Sequence, residues 1–99
     1  MQLYLDDVRF PPNNQFILAR SSAEALDVVK KLGWPTFMSL DHDLGGQDTT
    51  MVFLRQLVAA LWDGVSAPPQ YSVHSANPVG KANIVSFMES WKKSLTLKE

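Results

Sequence analysis

Four of the ten acidic residues fall in two tight pairs, Asp6-Asp7 and Asp41-x-Asp43, and both histidines, His42 and His74, lie in the same kind of segment, a short apolar run that breaks into polar residues. Three or four carboxylates within a few ångströms repel one another and raise each other's pKa unless a cation offsets the charge. A bound divalent metal is the simplest reason to gather them. Oxygen ligands point to Mg²⁺, with Mn²⁺ admitted because a histidine can add a nitrogen; zinc fits less well. A histidine beside such a cluster can ligate the metal or work as a general acid or base. His42, between Asp41 and Asp43, points by alternation away from the face those aspartates share, so it is expected to pack or to support a ligand from behind, which leaves His74 for the chemistry.

The elements that must position these residues are short. Leu3-Tyr4-Leu5, stopped by Asp6-Asp7, reads as a buried strand ending at a sheet edge. Residues 15–19 read as a second strand. Ser21, followed three residues later by Glu24, is a capping box that opens a helix over 22–32, closed by Gly33. Within it Ala25, Leu26, Val28, Val29 and Leu32 form the apolar side. Residues 36–40 make a third strand ending at Asp41. The polar loop Gly45-Gly46-Gln47-Asp48 then leads into a helix over 50–62, buried through Leu54, Leu57, Val58 and Leu61 and ended by Asp63-Gly64. A fourth strand, 70–74, stops at Ser75-Ala76-Asn77. Asn77-Pro78 is an N-cap and first-turn pair opening a last helix over 78–94, with Ile84, Phe87, Met88, Trp91 and Leu95 spaced for burial and residues 95–99 expected to fray.

Strand alternating with helix predicts an α/β domain: a three-layer, flavodoxin-like parallel sheet in the order 2-1-3-4, with helices on both faces. Only residues 6–14 join the first two strands, less than a parallel crossover usually takes, so its helix must be lost or reduced to a turn. No fifth strand follows. In an open parallel sheet, ligands bind outside the carboxyl ends of the strands where the strand order reverses. Here that point lies between strands one and three, where both acidic pairs stand. The segment from His74 to Lys81 joins a strand end to a helix start, where backbone N–H groups and the helix dipole favour an anion. Ser75, Asn77 and Lys81 would add donors there, and Arg9 can reach the same edge to grip a phosphate bidentately. Metal on one side and anion donors on the other is the arrangement that phosphoryl chemistry requires.

Composition narrows the alternatives. Ninety-nine residues make a single domain spanning 1–99. Nine basic against ten acidic side chains do not supply the positive excess of extended nucleic-acid contact, so any such ligand is held locally. The absence of cysteine excludes disulfides, a thiol nucleophile, zinc fingers and iron–sulfur clusters, and fits a reducing compartment. The N-terminus lacks signal-peptide character, and the longest apolar run, 57–62, cannot span a bilayer, so a cytoplasmic protein with no membrane partner is expected. No Ser-His-Asp order, Walker loop or dinucleotide fingerprint occurs, and Trp34, Trp62 and Trp91 read as packing residues.

With these residues in hand, the chain resembles the receiver domains of response regulators over roughly residues 2–90. Asp6-Asp7 is similar to the receiver acidic pair, the stretch from Leu40 to Asp48 is similar to the region around the phosphoacceptor and places Asp41 at that position, and Ser75-Ala76 is similar to the Ser/Thr-Ala step after the fourth strand. The receiver's fifth strand and its lysine have no counterpart. A closer resemblance is to the cyclic-phosphate processing receiver domains, through Leu5-Asp6-Asp7-Val8-Arg9-Phe10-Pro11, Asp41-His42-Asp43-Leu44-Gly45 and His74-Ser75-Ala76-Asn77-Pro78-Val79-Gly80. That resemblance implies action on cyclic phosphates of nucleotides or of RNA ends arising in damage and repair, in bacteria or their phages.

The expectation is therefore a metal-dependent phosphoesterase, a hydrolase that opens a cyclic phosphate. Asp6, Asp7, Asp41 and Asp43 would hold Mg²⁺ or Mn²⁺, Asp41 and His74 would be catalytic, Ser75, Asn77, Lys81 and Arg9 would bind phosphate, and His42 would stand behind them. Either water or Asp41 itself attacks phosphorus. The alternative is a receiver-like binding or signalling module without turnover, and a third reading is an interaction protein whose acidic edge is solvated loop.

Overall fold

A computed structural model of the chain describes residues 1–97, with side chains as far as residue 95. Strands β1 (Gln2–Leu5), β2 (Phe16–Ala19), β3 (Phe37–Leu40) and β4 (Gln70–Val73) form one parallel sheet in the order β2-β1-β3-β4, as expected, and no fifth strand is present among the described residues. Helix α1 (Ser22–Leu32) joins β2 to β3, α2 (Thr50–Gln56) joins β3 to β4, and α3 (Pro78–Leu97) follows β4. The last helix runs three residues past its expected end, over part of the segment expected to fray; residues 98–99 lie outside the described part. No helix among the described residues is long and apolar enough to cross a membrane.

Local chemistry accounts for the helix ends. The Ser21 hydroxyl accepts from the Glu24 amide at 3.1 Å, and Gly33, at φ 97°, lets its N–H close on the Val29 carbonyl at 2.9 Å. Leu32 lies past the buried stripe of α1 and is exposed, unlike Ala25 and Val29. After α2 the backbone inserts a residue and continues as a π-helical turn, Leu57–Leu61, closed by the Trp62 amide on the Leu57 carbonyl at 2.8 Å. A regular α-helix to 62 was the expectation; the extra residue keeps Leu57 in the core while Val58 and Leu61 are only partly buried.

The expected third layer is corrected. Leu3, Leu5, Ala19, Met38 and Leu40 share one core with Ala25 and Val29 of α1, Phe53 and Leu54 of α2, and Ile84, Met88 and Trp91 of α3. All three helices therefore pack on one face of the sheet, and among the described residues no helix covers the other. Handedness explains this. Right-handed crossovers from β2 to β3 and from β3 to β4 step across the sheet in the same direction, so both helices land on the same side. The step from β1 to β2 runs the opposite way and crosses the other face, but there the connection is too short for a helix. The open face instead carries a small aromatic cluster, Tyr4 edge-on to Phe16 at 5.8 Å between ring centres and Phe16 to Phe37 at 6.1 Å.

Candidate functional site

Strand register builds the site. Tyr4 of β1, Ser39 of β3 and Ser72 of β4 are direct neighbours across the sheet. The ladder continues one residue beyond the strands: the Asp6 amide donates to the Ala19 carbonyl at 3.1 Å, Asp41 to Leu5 at 2.9 Å and His74 to Leu40 at 2.9 Å. With a side-chain period of two, Asp6, Asp41 and His74 continue the Tyr4, Ser39, Ser72 row. Residues far apart in sequence thus meet at the carboxyl rim.

Asp6 is fully buried. Its Oδ1 accepts from the amides of Val8 and Arg9, each at 2.9 Å, and its Oδ2 meets His74 Nε2 at 2.9 Å. Burial pushes this carboxyl up, but the Arg9 and Val8 amides and His74 together outweigh it and hold it below its ordinary value. His74 is held through its other nitrogen and one ring face as well: Nδ1 meets Ser39 Oγ at 2.9 Å, and the ring stacks on Tyr4 at 4.6 Å and 9°. In a neutral ring Nε2–H donates to Asp6, and Nδ1 accepts from the Ser39 hydroxyl. Burial first, and the Asp6 charge second, push the Tyr4 phenol up. Both ring nitrogens of His74, the expected acid or base, thus have partners within the fold.

Asp6, Asp7 and Asp41 each present a carboxylate oxygen within 4.8 Å of the others. An all-oxygen donor set of this size fits a hard divalent cation such as Mg²⁺ or Mn²⁺. The loop after β3 holds Asp41 in place. Its Oδ1 accepts from the His42 amide at 2.8 Å, its carbonyl accepts from the Thr50 hydroxyl, and the Thr50 amide returns to the His42 carbonyl at 2.9 Å. Gly45 sits beside Asp7, where an added Cβ would stand 3.5 Å from Asp7 Oδ2, and its φ of +94° favours glycine. Asp48 anchors the far end of the loop, accepting from the Ser22 amide at 2.9 Å and the Ser22 hydroxyl at 2.6 Å at the start of α1.

Asp43 is not part of this cluster. Its side chain is 66% exposed, with Oδ1 at 3.1 Å from His42 Nδ1 and Oδ2 accepting from Asn77 Nδ2 at 3.3 Å. His42 and then Asn77 hold its carboxyl below the ordinary value. Asp43 couples the β3 loop to the start of α3. His42 packs against buried Gly80, where an added Cβ would come within 2.3 Å of its ring.

The start of α3 offers fewer anion donors than expected. Asn77 Oδ1 accepts from the amides of Val79 and Gly80, both at 3.1 Å, and the Asn77 carbonyl accepts from the Lys81 amide at 2.9 Å. With its amide nitrogen on Asp43, Asn77, expected to bind phosphate, serves here as an N-cap and loop tie. The Ser75 hydroxyl accepts from the Asn77 amide at 3.0 Å and still has its own proton to donate. Lys81 is exposed on the first turn of α3. Arg9 Nη1 donates to the His74 carbonyl at 3.0 Å.

Sequence reasoning misses Tyr4, Ser39, Asp48, Ser22 and Gly80. Tyr4 and Ser39 carry a usable signal, since each precedes a site aspartate by two positions in a strand. Asp48 and Ser22 meet only through the tertiary fold, and no local pattern announces the pairing.

Residues 1–90 match a family model described as Cyclic-phosphate processing Receiver domain. No curated protein and no solved structure matches the chain.

Proposed function

The chain belongs to the family of cyclic-phosphate processing receiver domains, and from that membership we propose that it is a metal-dependent phosphoesterase that opens a cyclic phosphate on a nucleotide or an RNA end. The observation that carries this reading is the convergence of Asp6, Asp7 and Asp41 within 4.8 Å at the carboxyl rim of the sheet. These three residues would hold Mg²⁺ or Mn²⁺. When bound, the cation neutralises charge on the ring phosphate and lowers the cost of adding an oxygen to phosphorus. Ser75, Lys81 and the free N–H groups of Arg9 gather the remaining phosphoryl oxygens.

Opening the ring forms one new P–O bond, breaks one ring P–O bond, and puts a proton on the released oxygen. Asp41, anchored through Oδ1, keeps Oδ2 for the attacking water or for direct addition to phosphorus. Acid-quench trapping in a single turnover separates these routes, because only direct attack leaves the phosphoryl group covalently on Asp41 until water breaks the acyl phosphate. His74 acts through Asp6, holding its carboxylate at the base of the cluster, and is a positioning residue.

The engagement of both His74 nitrogens favours a second reading, a receiver-like module that binds the same phosphates without turnover. Incubation with 2′,3′-cyclic nucleotides and ADP-ribose cyclic phosphate, with and without Mg²⁺ or Mn²⁺, distinguishes the two. The enzyme reading expects metal-dependent hydrolysis that Asp41→Asn removes. Metal-dependent binding without product supports the module, and absence of both overturns each.

A further inference from the structure

We propose that Phe10 selects for a base-bearing ligand, stacking on the nucleobase of a nucleotide whose phosphate sits at the acidic rim. The inference rests on the phosphate-ligand reading above and adds the kind of ligand the site prefers. Phe10 is 75% exposed, an unusual setting for a large aromatic ring. It is nonetheless held. The Arg20 guanidinium lies over the ring, 4.6 Å from its centre, and Arg20 Nη1 donates to the Arg9 carbonyl at 2.7 Å and the Asp6 carbonyl at 3.3 Å. The ring is thus tied to the backbone of the residue at the base of the carboxylate cluster, and Pro11-Pro12 stiffens the chain that follows.

Position supports the assignment. Arg20 directly follows β2, and its guanidinium reaches across to the Asp6 and Arg9 carbonyls after β1 while it covers the Phe10 ring, whereas Asp41 follows β3. The ring is one guanidinium away from the Asp6 backbone, with 4.6 Å between the ring centre and Arg20 on one side and 3.3 Å between Arg20 Nη1 and the Asp6 carbonyl on the other, a separation comparable to the reach from the phosphorus of a ribose cyclic phosphate to its base. Val8 and Val79, both largely exposed, also stand in the segments around this rim. An aromatic face there accepts any base, because every base offers a π surface.

The test compares 2′,3′-cyclic AMP with glycerol 1,2-cyclic phosphate, which has the same five-membered ring phosphate and no base, by calorimetric titration in Mg²⁺, with KM taken in place of Kd where turnover is seen. Wild-type protein is expected to prefer the nucleotide. Phe10→Ala should weaken nucleotide binding by about fivefold to a hundredfold and leave the glycerol compound unaffected, and Phe10→Trp should restore the preference. Equal affinity of the wild type for both compounds, or a preference unchanged in Phe10→Ala, overturns the role of Phe10 and leaves the phosphate site standing. Failure of the wild type to bind either compound overturns the site reading itself, and this inference with it.

Discussion

At the carboxyl rim the sheet buries an ionised carboxylate, Asp6, with two amides and an imidazole around it and two further carboxylates alongside. At the opposite rim the same strands begin among Trp34, Pro35, Pro68 and Pro69, and the polar groups there find neutral partners: Trp34 Nε1 donates to the Ala67 carbonyl at 3.0 Å and the Thr36 amide to the Met1 carbonyl at 2.9 Å. That second end holds an open hollow of about 670 Å³, yet no titratable side chain lines it. Concavity and gathered charge thus point to opposite ends of the sheet. A concavity offers room, whereas charge gathered against its own repulsion at the strand ends of a parallel sheet is where the proposed chemistry would sit.

The comparison predicts that damage at the two ends will look different. The largest effect is expected from Trp34→Ala, which removes a ring packed edge-on to Trp91 at 5.9 Å and should cost about 3 kcal/mol in chemical denaturation. It should leave any response to Mg²⁺ untouched; a lost response would mean that the two ends are coupled. His74→Ala takes away a partner of buried Asp6 and the stack on Tyr4. Its expected cost is about 2 kcal/mol, accompanied by weakened metal binding because Asp6 is no longer held. Full Mg²⁺ affinity in this variant would remove His74 from the site.

Gly80→Ala sharpens the comparison within the rim. The added methyl meets the His42 ring, so the start of α3 or the β3 loop must shift, at about 1–2 kcal/mol. Metal affinity should fall with stability, and the double variant Gly80→Ala with His42→Ala should recover part of both. The smallest effect belongs to Asp63, whose carboxyl is pushed down to about 2 by the Ser66 hydroxyl and then the Ser66 and Val65 amides. Because the folded state lowers this pKa, its contribution is complete above the ordinary 3.8 and is lost as pH falls through about 2. Asp63→Asn should flatten that acid-side loss in a pH series of unfolding curves and lower stability slightly near neutrality, where the ionised carboxylate makes its full contribution.

Much of this was legible in residue order. The strand ends at Asp6 and Asp41, the cap at Ser21 and the Asn77-Pro78 helix start depend on neighbours within a few positions, and the structure has them all. Asp43 was not legible, because the spacing Asp41-x-Asp43 suggests a shared face only while the strand continues, and here β3 ends at Leu40. The partners of His74 needed the cross-strand register as well as the strand assignment. The one-sided layering follows from crossover handedness applied to the order 2-1-3-4, and alternation of elements by itself does not reveal it. The pairing of Asp48 with Ser22 joins the β3 loop to the start of α1 and has no local signature.

The most direct test of the acidic rim is thermal unfolding of the wild type, Asp7→Asn and Asp41→Asn across a Mg²⁺ titration at fixed ionic strength. A cation held by Asp6, Asp7 and Asp41 predicts a saturable rise in Tm for the wild type that both variants lose. No rise in the wild type, or the same rise in all three proteins, would contradict it.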